Sequence, residues 1–535
     1  MQRIESSITP DGCFRYGIHK PAYKVTNLRK TTEKAVLGRD GEDQVVDNTG
    51  NYPEKDISVD AADWVYEIPN PLFFKGRTFI NKPWADACAD DYERMKIPQP
   101  APLSLTTILE QNTIASTFIN KLPMPLLLAL ATTSTDPRDL VLLARHSCEL
   151  LRLQDGSWGL RYTTGKNGTV HPVIHHPALF EAVANNPRLP GDLKIAMVLR
   201  PGAQGGSEIV GEWPRDGESH IYEYLRRNSY IPGGHYAANM ADDAIRYSIA
   251  DLQRVDLQGL RHLYYQRSFV RLAKALEIGL PESKERLSET ELEELRTAII
   301  EKAGTSDLSP ATLWGWNLGF DYAPSGYRLH ASHQQIHQQY AMVPDTIEAF
   351  TNGGAADDKM SAFSCGDLIT EVIDRYQRQY QRDFFTDYQR AIAQNSRIDG
   401  RSDRSSVLTI FEDERVMLYV PKAQTSQWEL QIMTRSDRQG NYPGNIFECD
   451  TATRKSLDTA LYKAQQALAG IGAKMVTSIE YSKRLNSRQQ KQALLYVLLP
   501  RLPESPGSFS EAQLRFISGH YPEDFAALCR QQMQI

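Results

Sequence analysis

The spacing of apolar residues changes several times along the chain, and each change predicts an element. Residues 1–60 are mostly polar and broken by turn signals such as Arg39-Asp-Gly41 and Asn48-Thr-Gly50, which predicts an N-terminal extension with little core. Trp64-Val-Tyr-Glu-Ile68 alternates as a strand does. The apolar run Pro71–Ile80 holds Lys75 and Arg77, which reads as a solvated edge, with a phosphate contact as the alternative. Residues 101–275 mix strands and helices. Asp192–Leu199 reads as a buried strand leading into the small-residue loop Arg200–Gly206, which lacks the lysine of a P-loop. From Asp251 to Leu276, leucines, tyrosines and valines recur at helical spacing. Ser288-Glu-Thr-Glu291 is a capping-box pattern. Leu292, Leu295, Ile299 and Ile300 follow it on one helical face, and that helix is expected to end near Gly304.

Thr351-Asn-Gly-Gly-Ala-Ala-Asp-Asp358 reads as a linker into a second unit. That unit opens with a helix over about 366–394. Strands are expected at Ser406–Phe411, Val416–Val420 and Gln427–Met433. An amphipathic helix carrying Leu457, Leu461, Ala464, Leu468 and Ile471 comes next, and the strand Gln492–Leu499 closes the series. Strands followed by a helix and another strand predict an antiparallel α+β layer.

Composition narrows the class. The chain has 535 residues, enough for about two to four domains. Net charge is −6 and no long basic run exists, which argues against nucleic acid as a partner. Six scattered cysteines form no C-x-x-C pair, so neither a disulfide framework nor a cysteine-based zinc knot is expected. The N-terminus lacks the apolar core of a signal peptide. The most apolar stretch, Leu122–Ala131, is too short to span a bilayer and carries two prolines. A cytoplasmic protein with no membrane partner is the expectation.

Candidate chemistry concentrates in Leu329-His-Ala-Ser-His-Gln-Gln-Ile-His-Gln-Gln-Tyr340, where three of the chain's 12 histidines crowd together: His330, His333 and His337. As a strand, the stretch puts His333, Gln335, His337 and Gln339 on one face, and Ile336, Gln338 and Tyr340 on the other. A neutral imidazole flanked by amides can attack phosphorus while the amides hold the phosphoryl oxygens. As a helix, it gives Leu329, Ile336, Tyr340 and Val343 an apolar stripe and groups the three histidines for a metal. A solvated polar face is the third reading. A second polar concentration, Arg226–Met240, sets two arginines, His235, Asn239 and two tyrosines around a Pro-Gly-Gly turn, either lining a pocket or forming a surface turn.

The surroundings of the histidines carry a resemblance. Asn317-Leu-Gly319 ends the apolar-aromatic run Thr312–Trp316. Then come Ala331-Ser332, two residues, and Gln335-Ile-His-Gln-Gln339. This resembles the galactose-1-phosphate uridylyltransferase and dinucleoside polyphosphate phosphorylase branch of the histidine-triad (HIT) superfamily, with its Asn-x-Gly segment, small residue and Ser, and His-x-His-x-Gln strand. Gln335 replaces the first histidine of that pattern, and the gap between Asn317 and Ser332 is longer than the pattern has. The resemblance implies His337 as the nucleotidylated nucleophile, with Gln339 and Gln335 beside it in catalysis. It implies Ser332 and Asn317 as phosphate-side contacts; His333 and Arg328 beside the motif, and Asn239 and His235 of the second polar concentration, are the further expected substrate contacts. It further implies an α+β fold of two HIT-like units, each an antiparallel sheet with packed helices: an extension at 1–60, a first unit at 61–350 holding the motif, and a second, degenerate unit at 360–535. The implied activity is nucleotidyl transfer or phosphorolysis on a nucleotide sugar or dinucleotide through a nucleotidyl-histidine. The alternatives are a HIT-type nucleotide hydrolase and a non-catalytic metal- or nucleotide-binding protein. A divalent metal and a homodimer are both compatible with it.

Overall fold

The computed structural model describes residues 5–20, 22–26, 35–51, 55–59, 63–99, 101–166, 168–184, 186, 188–197, 211–212, 221–222, 225, 229–230, 237–238, 245–246, 249–319, 337–502 and 507–533; at a few of these, His337 among them, it describes the backbone alone. The architecture is α+β. Its centre is a seven-stranded sheet made of β1 (Ala311–Gly319), β2 (His337–Val343), β3 (Thr409–Glu412), β4 (Val416–Tyr419), β5 (Leu430–Thr434), β6 (Met475–Tyr481) and β7 (Leu495–Pro500). The strand order is β2-β1-β6-β7-β5-β4-β3 and every pairing is antiparallel. Strands on both sides of residues 351–359, where two units were expected to meet, therefore share one ladder.

Helices close the sheet because each presents an apolar stripe to it. On one face lie α1 (Arg254–Ala275), α2 (Glu289–Ala303) and, from later in the chain, the helix Thr451–Gly470. α2 starts as expected: the Ser288 hydroxyl accepts from the Glu291 backbone N–H while the Glu291 carboxylate accepts from that of Ser288. Such a cap contributes about 1 kcal/mol. Leu292, Leu295 and Ile299 are buried, and Gly304 ends the helix. On the other face, over β4, β5 and β7, lie α3 (Cys365–Tyr380) and α4 (Phe384–Ala393) with Ile8 and Leu72. A smaller helical core gathers residues between Ile119 and Met197. The strand Arg515–Ser518 runs parallel to Arg77–Asn81, so the C-terminal part of the chain completes a sheet begun by Gly17–His19 and Val65–Pro69.

Several expectations are corrected. Asp192–Leu199 is not a strand where it is described: Gly191–Ala196 is helical, and Leu193 and Met197, one turn apart, are both buried. A short apolar run does not distinguish the two periods. The helix expected over 366–394 is two, because Gln381 takes a left-handed φ of 55° and Asp383 caps a new start at Phe384, its carboxylate accepting from the Phe385 backbone N–H. The expected linker at 351–358 is the turn and second strand of a hairpin, Thr346–Thr351 with Gly354–Ser361, whose Asn352-Gly353 corner is a strong hairpin signal. Lys75 is not on a solvated edge. Its ammonium meets the Glu429 carboxylate at 2.9 Å with side chains 8% and 0% exposed. Burial works against both charges, yet the pairing prevails: Lys75 is raised and Glu429 lowered. Arg77 pairs with Glu67. All six cysteines are free thiols. Among the described residues no helix is long and apolar enough to cross a membrane.

Candidate functional site

The described part of the histidine–glutamine stretch is a strand, which favours one of the readings left open by the residues. β2 begins at His337 and pairs antiparallel with β1, setting Asn317 directly across from His337 and Gly315 across from Gln339. β6 flanks β1 on its other side, with Thr477 across from Asn317 and Ile479 across from Gly315. Because alternate positions of a strand share a face, positions 313, 315, 317, 337, 339, 477 and 479 belong to one face of the sheet.

The burial pattern separates the two faces. Trp314 and Trp316 on β1, Gln338 and Tyr340 on β2, and Ser478 and Glu480 on β6 are buried toward α1. Leu313, Gly315, Asn317, Ala341, Thr477 and Ile479 are half-buried, and Gln339 is exposed. The closed face is aromatic. Tyr264 of α1 stacks on Trp314 with centroids 4.1 Å apart, and Trp314 lies 4.2 Å from Trp316. The Trp314 indole N–H donates to the Gln338 side-chain oxygen at 3.3 Å.

Glu480 is set into that aromatic layer. Its carboxylate accepts from the hydroxyls of Tyr264 and Thr312, each at 2.9 Å, and of Tyr496 at 2.8 Å. Burial pushes its pKa from 4.5 up to about 7, against the pull of the three hydroxyls.

On the open face the Thr477 hydroxyl donates to the Asn317 side-chain oxygen at 2.7 Å. With its oxygen engaged, Asn317 has its amide N–H groups to offer a ligand. Gly315 contributes no side chain between Gln339 and Ile479, which leaves a gap at the middle of this face; a Cβ built there would meet Ser478 O at an ordinary 3.5 Å.

Arg484, just past β6, fixes the far end of the motif strand. It donates to both oxygens of Asp367 at 2.8 and 2.7 Å, and to the carbonyls of Pro344 and Ala362, each at 2.8 Å. One planar guanidinium thus ties the end of β2, the base of the following hairpin and the first turn of α3.

Among the expected site residues, Asn317, His337 and Gln339 are brought together by register. Gln335, Ser332, His333, Arg328, Asn239 and His235 lie outside the described residues. So do the loop Arg200–Gly206 and most of Arg226–Met240. The backbone of Ala237–Ala238 is described, and it pairs with Ser229–Tyr230 and passes beside β2. Thr477, Gly315, Glu480 and Arg484 were missed. No strand was expected at Met475–Tyr481; the alternation at its end, Ile479-Glu-Tyr481, is the signal that could have found β6.

Elsewhere, a cleft of about 1150 Å³ opens beside the β3–β4 turn, but its Arg415 and Arg435 are ion-paired with Asp450 and Glu412. Among the described residues no three His, Cys, Asp or Glu are grouped to hold a metal ion.

No protein-family model matches the chain, and no curated protein matches it. Solved structures similar to it include a uridylyltransferase, at 14% identity over 46% of this chain and 69% of that one, with a TM-score of 0.32. An ADP-glucose phosphorylase from Arabidopsis thaliana, with ADP-glucose bound, is 12% identical over 60% of this chain and 79% of its own, with a TM-score of 0.34. A GalT-like protein from the same plant is 13% identical over 60% and 82%, also at 0.34. The chain's neighbours among solved structures are thus galactose-1-phosphate uridylyltransferase-like proteins, at low similarity.

Proposed function

We propose that this chain is a nucleotidyltransferase or phosphorylase that works through a nucleotidyl group held on His337. The observation that carries this reading is the register of β1 and β2, which sets Asn317 across from His337 and Gln339 two residues on, over a half-open sheet face with a gap at Gly315.

An imidazole nitrogen of His337 attacks the α-phosphorus of a nucleotide sugar or dinucleotide. The N–P bond forms as the phosphoanhydride P–O bond breaks, and a sugar phosphate or nucleoside phosphate leaves. An acceptor phosphate oxygen then attacks the same phosphorus, breaks the N–P bond and restores the histidine. Negative charge grows on the non-bridging oxygens in each step, so fixed neutral donors are what the reaction needs. The Asn317 amide and Gln339 supply such donors on this face, with Gln335 and Ser332 assigned to the same task. His333, Arg328, Asn239 and His235 are assigned to substrate.

Intact-protein mass after incubation with UDP-sugars, GDP-sugars and diadenosine polyphosphates tests this. A nucleoside-monophosphate adduct is expected in the wild type and not in His337→Ala. Full turnover by His337→Ala would sink the mechanism. Gln335 in place of the first motif histidine favours a second reading, a nucleotide-binding protein without turnover. That reading is selected by stoichiometric nucleotide binding with neither adduct nor product. Release of free nucleotide without any acceptor would instead identify a hydrolase.

A further inference from the structure

The helical lobe carries a cationic cleft that the proposed reaction does not use. Its walls come from three segments: Arg145 and His146 in the last turn of the helix Pro137–Ser147, His175 and His176 just before the helix Pro177–Ala184, and Ser116, Thr117 and Asn120 on the turn Ser116–Lys121. Ile119 and Leu142 complete the lining, and the cleft measures about 510 Å³, a size suited to a small ligand. The segments are held in fixed relation, since the Ser147 carbonyl accepts from the backbone N–H groups of both His175 and His176, at 2.8 and 3.2 Å. The His146 and His176 rings stack with centroids 5.2 Å apart and planes 22° apart. Arg145 lies over the Trp158 ring at 5.5 Å, and Arg152 over the same ring at 3.7 Å.

The chemistry of this lining is one-sided. It has a guanidinium, three imidazoles, two hydroxyls and an amide, and among the described residues no Asp or Glu lines it. Two imidazoles this close repel each other when both are charged. Burial, then the neighbouring His176 and His175, hold His146 below the ordinary histidine range. The titratable groups facing one another are Arg145 and His146 from one helix and His175 and His176 from the adjoining segment; the third wall supplies only neutral donors. Stacked rings do not converge on one point as metal ligands would, whereas an anion between them relieves their repulsion.

We infer that this cleft binds a phosphate-bearing anion, free or as a small phosphate ester, between its guanidinium and its imidazoles. An anion held there offsets the burial and the neighbouring imidazoles that hold the His146 imidazolium down. This site is independent of His337.

Calorimetric titration of the full chain with inorganic phosphate, pyrophosphate and ribose 5-phosphate, at pH 6 with chelator present, tests the inference. Wild type is expected to bind at least one of them saturably at pH 6. Inorganic phosphate binding as well as the ester would identify the free anion as sufficient; binding of the ester alone would show that the cleft reads the attached group too. Arg145→Ala with His175→Ala, both exposed positions, should weaken binding at pH 6 at least tenfold, while His337→Ala should bind as wild type does. No saturable binding at pH 6 would overturn the inference. So would binding lost in His337→Ala but kept in the double variant, or zinc bound without chelator and tightening as pH rises. None of these results bears on whether the His337 adduct forms.

Discussion

The two faces of the sheet at β1, β2 and β6 are made by neighbouring residues of the same strands, yet they are opposite environments. Trp314, Trp316, Tyr340 and Glu480 sit in a sealed aromatic layer under α1. Asn317, Gln339 and Thr477, one position away along each strand, stand on a half-open surface with a gap at Gly315. A slip of one residue would exchange the two sets, so burying the tryptophans is what holds the polar residues in place. Stability is concentrated on one side, and the proposed function places recognition on the other.

Substitutions can break or sharpen this contrast. The largest effect is expected from Trp314→Ala, which empties a cross-strand aromatic stack and should cost about 3–5 kcal/mol in chemical denaturation. A loss below about 1 kcal/mol would mean the closed face does not set the register. Next is Glu480. Its folded pKa lies above its ordinary value, so the folded state binds the proton more tightly and stability falls as pH rises from 4.5 through about 7. That slope should amount to about 3 kcal/mol across the window and be largely removed in Glu480→Gln. Unfolding curves at pH 5 and pH 8 for both proteins decide it. On the open face the effects move from stability to turnover. Gln339→Ala should lower turnover about 10²-fold through loss of an oxyanion donor, while stability changes by under about 0.5 kcal/mol. An equal loss in both quantities would erase the contrast. The smallest effect is expected from Gly315→Val, which suits a strand sterically and fills the gap. KM should rise about tenfold, the cost of one poorly accommodated side chain at a binding surface, with kcat and unfolding close to wild type.

Legibility in the sequence followed the reach of each signal. The Ser288 cap and the stripe of α2 act within a few residues and were read correctly to the residue, apart from Ile300, which is 37% exposed. The α+β class followed from alternating periods. Where two local patterns compete, the reading failed: Leu193 and Met197 fit a helix as well as a strand, and Asn352-Gly353 marks a hairpin as well as a linker. Lys75 was misplaced because its partner Glu429 lies 354 positions away. At the candidate site, the alternation of Gln338 and Gln339 was legible, whereas Thr477 was not, since only sheet order brings it to Asn317.

That last pairing has a consequence for how the protein is made. Asn317 and Thr477 are 160 positions apart, and β1 lies between β2 and β6 in the sheet. At a synthesis rate of about 5–20 residues per second, the β1–β2 pair, complete at Val343, waits roughly 7–28 s before β6, ending at Tyr481, exists to pair with it. During that interval one edge of β1 is an open template for other chains. Truncation just after the β1–β2 hairpin would make the wait permanent, so the nascent chain, more than the finished protein, is where this fold is most exposed to aggregation.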